Sequence, residues 1–199
     1  MEYQGKPYAD DVYTGGAQII PGKVFCAYYD LGGEGVAYHD ADAVNHGSGV
    51  LNPVDGSYLH SFRIDESVDT SYTKAHDAID LHPYNDVQPE MDMLYVGWTE
   101  PGEWLKYTVS VEQAGRYAVS ILYTSHEGGK ISLSSDAAGL TAEIRATYKV
   151  GDPVDWRQWH HWNIQELGEI QLEAGVQVLT LATEETGQMN YGYLTFTLL

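Results

Sequence analysis

Five tryptophans stand in this chain, and their neighbours decide which of them could meet a ligand. Trp98 lies in Tyr95-Val96-Gly97-Trp98-Thr99-Glu100-Pro101-Gly102, where an apolar run gives way to a turn. Trp156 follows Gly151-Asp152-Pro153-Val154-Asp155, a second turn-rich stretch. Rings at loop ends bounded by glycine and proline stay exposed more readily than rings inside an apolar run. Trp104 opens Trp104-Leu105-Lys106-Tyr107-Thr108-Val109-Ser110-Val111, and alternation puts it on the face of Lys106, Thr108 and Ser110, opposite Leu105, Tyr107, Val109 and Val111. Trp159 and Trp162 fall further into the following strand and are expected to plug the core. An exposed flat ring binds another flat apolar face. The C–H face of a pyranose is such a surface, with hydroxyls at its edge that need Asn, Gln, Asp or Glu partners. Asn190, in Gly187-Gln188-Met189-Asn190-Tyr191, and the early cluster Tyr38, His39, Asp40 and Asp42 supply such groups.

Other chemistries fit the residues less well. A glycosidase or lyase needs paired carboxylates or a base beside a charge stabiliser, and 29 Asp+Glu generate suggestive pairs by chance. The groups His39, Asp40, Asp42, Asn45, His46 and His76, Asp77, Asp80, His82 resemble metal clusters in composition only, because neither has zinc spacing, and both read as solvated loop polarity. His160 and His161 are adjacent, so on a strand they point to opposite faces. Cys26 is the single cysteine and sits among Val24, Phe25 and Ala27, which makes it a buried inert thiol.

Charge narrows the partners. With 10 Lys+Arg against 29 Asp+Glu the formal charge is -19, so nucleic acid and anionic membrane meet net repulsion. The longest apolar runs, such as 176–182, are far short of a bilayer span. The opening MEYQGKPYADD has neither a basic n-region nor an apolar h-region, so no secretory signal is read in it.

The elements that must position these residues are short strands. Alternating runs at Leu105, Tyr107, Val109, Val111, then Tyr117, Val119, Ile121, Tyr123, then Ile131, Leu133 are each followed by turn residues, and no stretch of a dozen keeps a helical period. The pattern predicts an all-β fold, a β-sandwich or jelly roll of two antiparallel sheets. Residues 1–20, polar and tyrosine-rich without a period, read as an N-terminal tail or linker that docks loosely, and 21–199 as one domain carrying a long loop insertion around 49–92.

In order along the chain, 32–42 (GGEGVAYHDAD), 62–69 (FRIDESVD), 96–109 (VGWTEPGEWLKYTV), Trp156-Arg157-Gln158-Trp159 and the asparagine before the last strand closely resemble family 6 carbohydrate-binding modules over residues 21–199. The resemblance implies a β-sandwich that binds polysaccharide or oligosaccharide, a β-linked plant or algal glycan, without catalysis. It also implies a catalytic glycoside hydrolase domain in the parent chain and an extracellular, cell-surface or periplasmic location. By position, Trp98 and Trp156 look like the aromatic walls of a loop-end cleft and Asn190 like its hydrogen-bonding asparagine. Tyr38, or alternatively His39, falls near a linkage-selecting polar side chain, and Trp104 matches an aromatic of a second cleft on the sheet face. Two departures stand out: the long 49–92 stretch, and Phe25 and Ala27 where the family often carries a Glu-x-Glu pair for structural calcium, so no cofactor or metal is expected. A glycan-active hydrolase or lyase, or a protein–protein adhesion module on the same fold, are the alternatives.

Overall fold

Where apolar and polar residues alternate most clearly, the chain is strand. The computed structural model describes residues 3–199; Met1 and Glu2 lie outside the described residues. In chain order the strands are β1 (Gln18–Ile20), β2 (Gly22–Phe25), β3 (Tyr38–His39), β4 (Thr70–Tyr72), β5 (Leu94–Val96), β6 (Trp104–Val111), β7 (Gly115–Ser125), β8 (Gly129–Ser134), β9 (Gly139–Ile144), β10 (Asn163–Leu172), β11 (Gly175–Glu185) and β12 (Met189–Leu198). They form two six-stranded sheets. One runs β1-β6-β11-β8-β9 with β3 also on β6; the other runs β10-β7-β12-β5-β4 with β2 also on β12. All these pairings are antiparallel except β1 with β6, which is parallel.

The two inner faces meet in one core. Leu105, Tyr107, Val109 and Val111 from β6 and Tyr117, Val119, Ile121 and Tyr123 from β7 are all buried there, as alternation predicts. Each side chain of this size taken from water contributes about 1.5–3 kcal/mol. Cys26 is fully buried and burial pushes its thiol up to about 12, so it stays protonated and unreactive.

The N-terminal segment departs from the expected loose tail. Ile20 is fully buried and Gln18 nearly so, with the Gln18 Oε1 accepting the Phe25 N–H at 2.7 Å and its Nε2 donating to the Phe25 carbonyl at 3.2 Å. Lys6 and Leu31 exchange backbone bonds of 2.8 and 2.7 Å, and Tyr8 and Tyr13 stack on Tyr28 at 5.5 and 4.0 Å. The segment is held by ring-on-ring contact rather than by alternation, which is why its sequence shows no period.

The insertion 49–92 contributes only β4 and a 3-10 turn (His76–Ala78) as regular structure, yet it is packed. Trp162, Tyr95, Met93 and Leu122 form a second cluster on the outer face of the β7 sheet, and Phe62, Tyr8, Ala27 and Leu94 a third. Leu122 and Thr124, outward by alternation, are therefore buried. Asn45 pins the start of this region: its Oδ1 accepts the N–H groups of Gly47, Ser48 and Thr70 at 3.0–3.2 Å, and its Nδ2 donates to Thr70 Oγ1 at 3.0 Å. Among the described residues no helix is long and apolar enough to cross a membrane.

Candidate functional site

One end of the sandwich is open. Strands β3 and β5 end there and β4, β6, β10 and β12 begin there, so their loops surround a cleft of about 760 Å³. Trp98, Trp156 and Trp159 line it with Asn190, Gln188 and Leu51, and Asp40, Asp42, Asp69, Glu100 and Glu103 line the same concavity.

Trp98 follows β5 with φ of 49°, the left-handed region that bulky side chains rarely adopt. Its neighbours hold it there. The Gly97 N–H donates to the Asp69 carbonyl at 2.9 Å, Thr99 Oγ1 donates to the Met189 carbonyl at 3.3 Å, and the Gln188 N–H donates to the Thr99 carbonyl. Gly187, at φ 75°, lets that crossing close, because a Cβ there would come within 2.3 Å of the Thr99 carbonyl. The ring that results is 40% exposed, and strain of this kind persists only where surrounding bonds over-determine it.

Trp156 and Trp159 sit on a 3-10 turn (Asp155–Trp159) rather than on a strand. In a 3-10 turn residues three apart project from the same side, so both rings reach the cleft. Trp156 is 50% exposed; Trp159 is half-buried against the His126 ring at 5.1 Å. The expectation that Trp159 plugs the core is thereby corrected, while Trp162 is a core residue as expected. The turn is anchored from below by Asp152, which accepts from Arg157 Nε and Nη2 at 2.7 Å each and from His161 Nε2 at 2.8 Å. The guanidinium holds the Asp152 carboxyl well below the usual range.

Asn190 opens β12 and is 7% exposed. Its Nδ2 donates to the Trp159 carbonyl at 2.8 Å, which Thr124 Oγ1 also reaches at 2.6 Å, so the amide is fixed in orientation. Its Oδ1 has no protein donor, and since no described buried side-chain oxygen is left unpaired, that oxygen is open to the cleft. Gly97 makes the space: a Cβ there would lie 2.6 Å from this Oδ1.

The acidic side differs from the rest. Burial raises Asp40 to about 6, Asp69 to about 7 and Glu103 to about 7, with the neighbouring carboxylates adding to each. Glu103 accepts the Ala41 and Glu100 N–H groups at 3.1 and 2.7 Å, and Asp69 accepts the His46 N–H at 2.5 Å. Among the described residues no lysine or arginine lines the cleft or pairs with these three.

Three other expected positions fall elsewhere. Tyr38 is a correction: on β3 it lies opposite Leu105, turns inward, and its ring packs edge-on to Tyr29 in the core, 5% exposed. His39 turns outward and pairs with Glu34 at 2.5 Å. Beside it Trp104 lies under Lys106 Nζ at 5.0 Å, and the two rings line a depression of only about 10 Å³, too small for a sugar ring. No side-chain oxygen occurs at the two calcium positions. The Phe25 ring packs edge-on to Tyr193 at 5.6 Å and Ala27 is buried in an aromatic cluster, so these residues do not fit a calcium ion.

His82, Asp152 and His161 are buried with ligand atoms within 4.8 Å of one another. Their hydrogen-bonding capacity is spent internally. His161 Nδ1 accepts the Lys149 N–H at 2.9 Å while its Nε2 meets Asp152, and His82 Nδ1 accepts the Tyr84 N–H at 3.3 Å while its Nε2 meets the His160 carbonyl at 3.2 Å. Of the second histidine group read in the sequence, Asp80 is likewise buried, on the Trp162 indole at 2.7 Å and His160 at 2.9 Å, whereas His76 and Asp77 pair on the surface.

The family model described as Carbohydrate binding module (family 6) matches residues 71–198, a span that includes Trp98, Trp156, Trp159 and Asn190 and leaves out Tyr38 and His39. The fold is similar to CsCBM6-3 from Clostridium stercorarium in complex with cellobiose, at 11% identity over 94% of this chain and 100% of that one, TM-score 0.54. It is also similar to a β-1,3-glucan binding CBM6 from Bacillus halodurans, at 14% identity over 90% and 98%, TM-score 0.50. A glycoside hydrolase family 43 arabinoxylan arabinofuranohydrolase from Bacillus subtilis aligns at 17% identity over 67% of this chain and 25% of that one, TM-score 0.46. No curated protein matches the chain.

Proposed function

The chain belongs to carbohydrate-binding module family 6, and from that premise we propose that it holds a β-linked glycan in the loop-end cleft, without turning it over. The observation that carries this reading is the convergence of three indoles and one oriented amide with a free acceptor on a single concavity. Trp98 and Trp156 offer exposed faces to the C–H surfaces of a ring, and Asn190 Oδ1 accepts from a hydroxyl at its edge. Glycan binding without catalysis suits a module that delivers an attached glycoside hydrolase to polysaccharide outside the cell, and that partner and location are part of the proposal. Trp98→Ala and Trp156→Ala are expected each to abolish binding in affinity electrophoresis on β-glucans while leaving the circular dichroism spectrum unchanged, because stacking dominates such small contacts. Unchanged mobility in both variants, or an effect confined to Trp104→Ala, would remove the cleft from the account; release of reducing ends that disappears on changing one carboxylate would overturn the non-catalytic reading.

Folding without calcium belongs to the same proposal. What supports it is the packing of Phe25 and Ala27, which stabilises by apolar contact where a ligand set would need oxygens. The melting temperature is expected to be equal in EDTA and in millimolar calcium; a chelator-reversible rise with calcium would show a structural ion.

A further inference from the structure

The cleft holds a group of acids that the protein itself leaves without a counter-charge. Asp69 is 8% exposed, and its Oδ2 has no protein donor; Asp40 uses one oxygen on the Asp42 N–H at 3.1 Å and leaves the other free. Glu103 faces the same space. Asp40 and Glu103 are half-buried, but a carboxylate buried as far as Asp69 is ordinarily paired, because a lone buried charge is costly. Among the described residues the basic groups lining the cleft are His46, whose ring serves Asp42 at 2.8 Å, and His160, whose ring serves Asp80.

A bare metal ion does not answer the need. Among the described residues the oxygens of Asp40, Asp69 and Glu103 do not converge within the reach of one ion, and the cleft they line is large enough for sugar rings. A second feature of the same cleft points to a ring-bearing ligand: Asn190 is more than nine-tenths buried, and its Oδ1 is unpartnered beside the indoles. Carboxylates and indoles lining one cleft fit a sugar that carries a donor with positive charge. They disfavour a uronate, whose carboxylate would add to the repulsion.

We propose that the glycan taken by this cleft is an amino sugar chain with free amines, one ring lying on the tryptophans and its ammonium on the open oxygen of Asp69, with Asp40 and Glu103 adding to the negative field around it rather than bonding it. This rests on the cleft being the glycan site. A charge-assisted bond to a carboxylate short of partners is stronger than a hydroxyl contact at the same place. Binding an ammonium must also draw Asp69 and Glu103 toward ionisation, so protons are released, whereas a neutral ring that only dehydrates them causes uptake. The charged and ionisable groups that face these carboxylates are Asp40, Asp42, His46, Glu34 and Glu100.

The test is titration calorimetry of the full chain at about pH 6, in two buffers of different ionisation enthalpy, with a β-1,4-linked glucosamine oligomer, its N-acetylated counterpart and the matching glucose oligomer. The amine-bearing oligomer is expected to bind about tenfold more tightly than either of the others and to release protons. In Asp69→Asn and Glu103→Gln the affinity ratio should fall toward one. Equal affinities in the wild-type chain, or proton uptake with the amino oligomer, would overturn the inference and leave the glycan reading in place. No binding by any of the three, together with none to other β-glucans, would instead overturn the glycan reading itself. Tetralysine binding as tightly as the amino oligomer, and unaffected by Trp156→Ala, would make this a general cation surface and overturn the inference.

Discussion

Buried and half-buried acids at the same end of this molecule are treated in opposite ways. Asp152, beneath the 3-10 turn, receives a guanidinium fork and an imidazole and is held ionised. Asp40, Asp69 and Glu103, in the wall of the cleft, receive backbone N–H groups but no cationic side chain, and their carboxyls drift toward neutrality. A protein that gives one buried acid a guanidinium and an imidazole, and leaves buried Asp69 and half-buried Asp40 and Glu103 without a cation, is not short of means. The first arrangement fixes a shape; the second leaves capacity for something that arrives from outside.

The sharpest way to break the comparison is at Asp152. Asp152→Ala strands Arg157 and His161 in the interior, and urea denaturation should show a loss of about 3–5 kcal/mol. The turn carrying Trp156 and Trp159 loosens with it, so binding falls although neither indole is altered. A loss below about 1 kcal/mol would mean that the junction does not hold the turn.

Asn190→Ala removes the open Oδ1 and also the Nδ2 bond to the Trp159 carbonyl, which Thr124 Oγ1 continues to hold. Removing an oriented amide that meets a sugar hydroxyl should weaken binding by about 1–3 kcal/mol in calorimetry. An unchanged affinity would show that the free Oδ1 meets no ligand.

Asp69→Asn should do the reverse of Asp152→Ala and stabilise the fold. With a folded value near 7 against the ordinary carboxylate range, the folded chain binds more protons than the unfolded chain between about pH 4 and 7, so stability falls as pH rises through that window. Removing the charge should raise stability by about 1–2 kcal/mol at about pH 8 and leave it unchanged at about pH 4, where the carboxyl is already neutral. Glu103, Asp40, Asp42 and His46 titrate nearby and blur the slope, so the comparison of the two pH values, not the midpoint, decides. Destabilisation at pH 8 would mean that Asp69 has an internal partner.

Much of the sandwich could be read in advance because period-two alternation is a direct imprint of a sheet with one buried face: Leu105, Tyr107, Val109 and Val111 are where the pattern puts them. Trp98 and Trp156 were legible from their flanking glycines and prolines. Trp159 was not, because a strand and a 3-10 turn are told apart only by spacing, and the three-residue interval from Trp156 was the available signal. Tyr38 misled because a polar sequence neighbourhood does not tell which way a two-residue strand turns; only its register with β6 does. Asp40 and Asp42 stood in the early polar cluster, but Asp69 and Glu103 could not be separated from the other acids. They reach the cleft from loops far apart in sequence, joined by the insertion whose packing is made of side-chain bonds to Asn45 and Thr70. The N-terminal tyrosines were missed for a related reason: stacked rings leave no periodic trace.

Strand β12 begins at the cleft with Asn190 in its first turn of pleat and runs to Leu198, about 30 Å at the usual rise per residue. Along that length it is bonded to β7 on one side and to β5 and then β2 on the other. A pull applied along β12, between a gripped polysaccharide and the Leu198 end, would run along the axis of a strand paired on both sides. Its ladder bonds would lie across that pull and share the load together, rather than opening one at a time as they would if an edge strand were peeled away. The strand that presents the asparagine would then be loaded in shear.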